Sequence, residues 1–599
     1  MTGQKMTRTP LRPLAKILEA RINGENPDVI ERENIRLRHA EMHDRTRRRA
    51  EGRLLVLGVM FFCAFVVIGV RMGMMANSAP AEPGPSAEGA AILAQRTDIV
   101  DRKGRILATN FDTYSLYAHP QKMVDPQNAA QNLVEVFPDL KLERLIKDFT
   151  GKRRFVWIKR KISPEQMQQV HDIGEPGLNF GPREMRLYPN GRLAAHVLGG
   201  AGFGREEVYA AEVIGVAGVE KYFDERLRDP ARGHEPLQLS LDLSVQAATE
   251  QVLYGGMKLM NAKGAAAVLL DVYSGEVIAI ASLPDFDPND RPRPATKGFP
   301  SDSPLFNRAV QGVYELGSAL KPLAMAQALD LGLVTPTTII NTQGPLKWGK
   351  FKIRDFRDYG SEMTASKVIV KSSNVGIARI AQEIGAERQK GFLKSLGMFE
   401  PTPLEIIEAK GGRPILPEKW SELSTMTISY GHGISISPLH LAAGYAAIAN
   451  GGTLVKPTIL KQEGWRPGPR VMSEKTAAEI RVMLRRVVTE GTASFGEVEG
   501  YDVGGKTGTA DKVKEAGGGY YEDKVIATFA SIFPISNPQY VLIVTLDEPV
   551  ETSGAIPRRT AGWTAVPVAA EIIRRVAPLL GLRPEIEPAG GAVITQTSN

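Results

Sequence analysis

The residues with the most evident chemistry are Ser318 and Lys321, in the run Tyr314-Glu-Leu-Gly-Ser-Ala-Leu-Lys-Pro322. A serine three residues before a lysine, on a helix, sets both side chains on one face. The amine then lies beside the hydroxyl and can take its proton, which activates an otherwise weak nucleophile. Alone, the pair is better described as an exposed helix face. Its weight comes from two later segments, Ser372-Ser373-Asn374 and Lys506-Thr507-Gly508. The first begins 54 residues after Ser318 and the second 134 residues after Ser372.

For Lys321 to act as general base toward Ser318, its amine must be neutral, so its pKa must lie well below the usual ~10.4. Burial and a nearby cation both push it down, and Lys506 is the candidate cation. The Asn374 amide can hold a carbonyl or orient a lysine, and the Ser372 hydroxyl can relay a proton. The run Gly504-Gly505-Lys506-Thr507-Gly508-Thr509 suits a strand lining a cleft. Its glycines, Gly508 among them, let a substrate backbone approach closely. Lys506 and the hydroxyls of Thr507 and Thr509 can bind a carboxylate. The backbone N–H groups of Ser318 and Thr509 are the expected oxyanion donors, each typically worth about 10²–10³ in rate. Plainer readings exist. Ser-Ser-Asn is a common helix cap. Gly500 with Gly505-Lys506-Thr507 also fits a phosphate loop, but such a loop opens a helix. The Gly-rich stretch that follows has no helical pattern.

These residues must be brought together by elements far apart in the chain. Ala265 to Leu283 reads as two β-rich runs around Tyr273-Ser274-Gly275, a hairpin. Ser318 to Leu333 reads as a helix in which Pro322 is tolerable near the start. Ala365 to Ile384, Ala477 to Thr489 and Thr564 to Ala577 are further helices, and Ile526–Phe533 and Gln539–Leu546 resemble neighbouring strands. Together they predict a mixed sheet with helices around it. Before them, Gln95 to Ala108 predicts a hairpin turning at Lys103-Gly104, and Gln127 to Phe149 a helix.

At 599 residues the chain exceeds one ordinary core and predicts at least two domains. Its net charge is +7, of which residues 1–53 hold +5, from 13 Lys+Arg against 8 Asp+Glu. The basic balance therefore belongs to the N-terminal segment. With no aromatic interleaving there, it does not describe a nucleic-acid surface. Cys63 is the only cysteine, so neither an internal disulfide nor a cysteine zinc site is available. No metal cluster or nucleotide fold is evident, and no cofactor is implied. Leu54 to Val70 is a run of 17 uncharged residues between Arg53 and Arg71, rising roughly 25 Å as a helix. It reads as a membrane span, with a buried core helix and a cleaved signal peptide as the alternatives. Arg45, Arg47, Arg48, Arg49 and Arg53 precede it, so the positive-inside rule leaves the N-terminus cytoplasmic and the remaining mass outside.

The predicted layout is a basic cytoplasmic tail over 1–53, a signal-anchor helix over 54–75 and a linker over 76–90. A non-catalytic pedestal over 91–236, a catalytic unit over 237–581 and a loose tail over 582–599 complete it.

Ser-x-x-Lys with Ser-Asp-Asn and Lys-Thr-Gly is the motif set of penicillin-binding proteins and class A β-lactamases. From about Ala91 to Gly581 the chain resembles a class B penicillin-binding protein, a membrane-anchored peptidoglycan D,D-transpeptidase of the division type. The resemblance also rests on Arg96-Thr-Asp-Ile-Val-Asp-Arg-Lys-Gly, Arg186-Leu-Tyr-Pro-Asn-Gly-Arg-Leu-Ala-Ala-His, Gly215-Val-Ala-Gly-Val-Glu220, Asn307-Arg-Ala-Val and Gly431-His-Gly-Ile-Ser-Ile-Ser-Pro. Thr97 replaces a usual glycine, Leu316 a usual proline, and His432 stands where glutamine is common; His432 is given no catalytic role. The resemblance implies a mixed α/β fold: a β-lactamase-like transpeptidase domain with a central antiparallel-type sheet flanked by helices, after an elongated α+β pedestal. It implies acylation of Ser318 by a D-Ala–D-Ala stem peptide, transfer to a neighbouring amine, and trapping by β-lactams. Expected partners are a lipid-II-polymerising membrane glycosyltransferase and other division proteins, and the expected place is the bacterial inner membrane with the catalytic unit in the periplasm. The pedestal is too short for an added glycosyltransferase domain. An elongation-type enzyme, a β-lactam hydrolase and a β-lactam sensor are the rival readings.

Overall fold

The computed structural model describes residues 12–77, 96–206, 211–232, 235–465, 467–514 and 517–585. Two units are distinguished, Met1–Glu88 and Gly89–Asn599. In the first, helices Arg12–Ile22 and Pro27–Asn77 follow one another. The long one runs without a break from the basic segment through the apolar run. Its Gly52–Met72 stretch is long and apolar enough to cross a membrane. Leu54, Phe62 and Val70 are all exposed, so this is not the buried core helix of a soluble protein. Most of the expected linker and of the expected loose C-terminal tail lie outside the described residues.

In the second unit, β-rich runs without polar alternation form a sheet buried on both faces. Its strands lie in the order Gly504–Val513, Tyr520–Phe533, Tyr540–Asp547, Gly264–Asp271, Val277–Leu283, each antiparallel to its neighbour. The hairpin expected around Tyr273-Ser274-Gly275 is present, with Gly275 at φ 75° in the turn. The two C-terminal runs pair as expected, Ile526 opposite Asp547. Helices Leu243–Leu259 and Ala565–Leu579 pack together on the sheet, and Pro438–Ala449 and Glu474–Thr489 form a second packed pair against it. Strand Gly504–Val513, which carries Lys506, is a sheet edge.

The expected hairpin near Gly104 joins Ile99–Val100 to Ile106–Ala118, with Gly104 at φ 80°. The long strand also pairs with Val156–Ile162 and Leu178–Leu187. Three expected helices are divided. Gln127 to Phe149 is two helices, Pro126–Val136 and Leu142–Thr150. Phe137 precedes Pro138, a position that disfavours helical backbone. Ser318 lies not in an α-helix but in a 3₁₀ turn, Gly317–Leu320, ahead of helix Lys321–Asp330. Pro322 has no N–H to give the Ser318 carbonyl, and the Lys321 N–H takes that carbonyl instead. Ala365 to Ile384 breaks into Ala365–Lys371 and Asn374–Ile384, with Ser372 left-handed at φ 62° between them.

A buried charge cluster fastens the pedestal strands. Glu220 is 0 % exposed and accepts from Arg96 Nε at 2.7 Å, Arg186 Nε at 2.7 Å and Tyr188 Oη at 3.2 Å. Arg96 Nη1 also donates to Asp224 at 2.7 Å. Removing one partner of a buried ion pair strands the other charge, at about 3–5 kcal/mol. Glu220→Ala is therefore expected to lower the melting temperature by several degrees. An unchanged melting curve would show that the arginines find other partners.

Candidate active site

The turn carrying Ser318 is held against the edge strand by backbone-to-backbone contact. A Cβ on Gly317 would come within 2.8 Å of the Thr509 carbonyl, and one on Gly508 within 2.1 Å of the Leu316 carbonyl. At both positions neighbouring protein backbone leaves no room for a side chain. Gly505 and Gly504 likewise meet Phe529 and Ile535. Tyr445, fully buried, donates its hydroxyl to the Ala319 carbonyl at 2.8 Å from behind the turn. Gly317 N–H donates to Gly431 and Ala319 N–H to Leu316. Ser318 lies between them at the open N-terminal end of its turn, where an N–H lacks an acceptor within the turn.

Lys321 and Lys506 are both 0 % exposed. They converge on Ser372. Lys321 Nζ donates to Ser372 O at 2.5 Å, Ser372 Oγ at 3.2 Å and Asn374 Oδ1 at 2.7 Å. Lys506 Nζ donates to the same Ser372 Oγ at 2.9 Å and to Thr507 O at 3.1 Å. Ser318 Oγ, half-buried, is not among these contacts. Burial, and then the Lys506 charge, hold the Lys321 ammonium well below the usual lysine range, while Asp355 pulls it back up. Burial lowers Lys506 to about 7. The sequence expectation of a neutralisable Lys321 beside a cationic Lys506 thus has a geometry.

Thr507 and Thr509 alternate with Lys506 along the strand and point to its other face. Thr507 Oγ1 shares a 2.6 Å hydrogen bond with Thr492 Oγ1. Thr509 Oγ1 accepts from the Ala561 N–H at 3.0 Å and keeps its own proton. A family model for the penicillin binding protein transpeptidase domain matches residues 265–574. The chain belongs to the penicillin-binding protein transpeptidase family. A second model, the penicillin-binding protein dimerisation domain, matches residues 91–235. Among curated relatives, a probable peptidoglycan D,D-transpeptidase FtsI of Caulobacter vibrioides is 34 % identical over 92 % of this chain and 93 % of its own length. A probable peptidoglycan D,D-transpeptidase PenA of Neisseria gonorrhoeae is 33 % identical over 83 % and 87 %. Peptidoglycan D,D-transpeptidase FtsI of Escherichia coli is 28 % identical over 83 % and 86 %.

Two parts of this transpeptidase centre escaped the sequence reading. Asp355 closes the break between the two helices. It accepts from Ser373 Oγ at 2.7 Å, Asn374 N at 2.5 Å and Val375 N at 3.0 Å. A carboxylate suits that position, since helix N-terminal N–H groups attract negative charge. Its signal in the sequence was one of two acids in a basic run, with no periodicity to mark it. Glu315, three residues before Ser318, accepts from Gly433 N at 2.8 Å and from Tyr520 Oη at 3.0 Å, with His432 Nδ1 3.1 Å away. Tyr520 begins the second strand of the lysine hairpin, so this hydroxyl latches the hairpin to the loop ahead of Ser318. The contact spans 205 residues and leaves no local pattern.

The two lysines give opposite limbs to a pH profile. Lys321 is neutral only above its lowered pKa, and Lys506 is cationic only below about 7. The second-order rate of covalent labelling by a fluorescent penicillin is expected to rise as Lys321 loses its proton and fall above about 7. Lys506→Met removes the charge that depresses Lys321, so its rising limb moves to higher pH. A rising limb that stays in place would show the two amines do not interact.

Proposed function

We propose that the protein is a serine D,D-transpeptidase that cross-links peptidoglycan stem peptides during septum formation. The observation that carries this is the pair of fully buried lysines meeting at Ser372, one of them three residues after the half-buried Ser318. Neutral Lys321 takes the Ser318 proton as Oγ attacks the carbonyl of the D-Ala–D-Ala bond. The Ser318 and Thr509 N–H groups receive the developing oxyanion. The free Thr509 proton and the Thr492–Thr507 hydroxyl pair hold the terminal carboxylate, and Lys506 adds its positive charge from the other face of the strand. Two hydroxyls sharing one hydrogen bond keep a second proton for that acceptor.

As the peptide C–N bond breaks, the Lys321 proton passes through Ser372 Oγ to the departing D-Ala nitrogen. Asn374 orients Lys321 throughout. Release of D-Ala leaves an acyl ester on Ser318. An amine of a neighbouring stem then attacks that ester, a proton returns to Ser318 Oγ, and the cross-link is complete. A β-lactam follows the first half only, its ring nitrogen remaining tethered. Thr507, Gly508 and Thr509 are the substrate edge in this scheme, Gly508 by seating the nucleophile turn.

The septal assignment is supported by the FtsI-type relatives and the long basic segment ahead of the apolar helix. We assign residues 1–53 to the cytoplasm and 54–75 to the inner membrane. The pedestal, 91–236, and the catalytic unit, 237–581, lie in the periplasm, where stem peptides are. A lipid-II-polymerising membrane glycosyltransferase and other division proteins are the proposed partners, since a transpeptidase needs freshly polymerised strands.

Ser318→Ala is expected to abolish covalent penicillin labelling with the melting curve retained; persistent labelling would overturn the nucleophile assignment. Depletion in the producing cell is expected to give filaments with unfinished septa, scored by microscopy, whereas rounded cells would move the protein to the elongation role.

A further inference from the structure

A short hairpin at the edge of the catalytic centre exposes what a folded protein ordinarily hides. Strands Leu346–Trp348 and Phe351–Ile353 pair antiparallel, and the chain runs straight on to Arg354 and Asp355. At its base, Leu346 and Ile353 face one another and pack with Ala378 and Met426. The next pair on that face is Trp348 opposite Phe351. These rings extend past the core, 36 % and 50 % exposed, and Phe356 beyond them is 80 % exposed. On the other face, Lys347 sits directly opposite Lys352. Like charges placed so destabilise an antiparallel pair, and among the described residues no carboxylate pairs with either.

The segment 345–359 holds Lys347, Lys350, Lys352, Arg354 and Arg357 against Asp355 and Asp358. Asp355 is already committed to Ser373, Asn374 and Val375. Single exposed apolar residues are ordinary. Three rings among five exposed cations, on a hairpin whose cross-strand pairing is repulsive, mark a surface that binds something anionic with flat apolar faces. The hairpin also touches the reaction centre, since Asn374 Nδ2 donates to the Arg354 carbonyl at 3.0 Å. Its ligand therefore extends from the cleft itself.

The geometry points to this hairpin as a binding site for the glycan strand that carries the stem peptide, an inference that rests on the transpeptidase reading of the adjoining centre. Sugar rings lie on Trp348 and Phe351, whose faces offer large rigid contact area. Lys347 and Lys352 meet the carboxylates of neighbouring stems, which relieves their mutual repulsion. The hairpin thereby selects polymeric, uncross-linked substrate over free peptide. It also holds the strand beside Asn374 while successive stems are used.

The test uses the full chain in neutral-lipid nanodiscs, with soluble uncross-linked peptidoglycan strands as one probe and phosphatidylglycerol vesicles as the other. Lys347→Glu/Lys352→Glu and Trp348→Ala/Phe351→Ala are each expected to weaken strand binding by about tenfold or more. Retained penicillin labelling identifies preparations with an assembled centre. Strand binding by the unaltered chain is also expected to weaken with added salt, as exposed charges are screened. Unchanged strand binding in both variants overturns the proposal, and a loss confined to the vesicles overturns it in favour of a lipid surface. If the unaltered chain takes no penicillin label, the transpeptidase reading itself fails, whatever the strands do.

Discussion

Two ammonium groups buried within reach of one hydroxyl are the constraint around which this centre is built. A buried lysine without partners is costly, and two close together repel. Lys321 offsets this with three acceptors, Ser372 O, Ser372 Oγ and Asn374 Oδ1. Those three match the three protons of an ammonium. A neutral amine has two protons and a lone pair, so one contact must then lapse or reverse. Of the three acceptors, only the Ser372 hydroxyl has a proton to give. Ser372 is therefore the group whose orientation follows the charge of Lys321, and Lys506 holds the same oxygen from the other side.

That arrangement explains features that otherwise look local. Ser372 can present both its carbonyl and its hydroxyl to Lys321 because it sits left-handed between two helices. Such backbone is uncommon for a residue with a side chain and persists where its surroundings enforce it. Asp355 supplies part of that enforcement by taking the N–H groups that open the second helix. On the opposite wall, glycines at 317 and 508 let the Ser318 turn and the Lys506 strand meet without side chains between them. A larger residue at either place would push Ser318 away from Lys506.

The sequence was most legible where pattern is short-range. The hairpin around Gly275, the hairpin near Gly104 and the two C-terminal strands follow from turn residues between β-rich runs. The lysines and serines of the three motifs were visible because residue type alone limits their chemistry. Helix boundaries were less legible where one backbone event outweighs periodicity. Apolar spacing continues through Pro138, Pro322 and Ser372, yet the backbone breaks or tightens at each. These breaks matter most at the site, since the second sets the Ser318 turn and the third creates the Ser372 geometry. Asp355, Tyr445 and the Glu315–Tyr520 latch act through partners remote in sequence, so no window of the chain holds their signal.

The sheet order has a consequence for how the molecule comes into being. Gly264–Asp271, the first long strand of the catalytic unit, has Tyr540–Asp547 as one of its two neighbours. Nearly the whole unit is synthesised before that pairing can form. Contacts of such long sequence separation make folding slow and leave apolar strands exposed meanwhile. The strand that carries Lys506 joins the central sheet through Tyr520–Phe533 and Tyr540–Asp547, so the complete centre awaits those late strands.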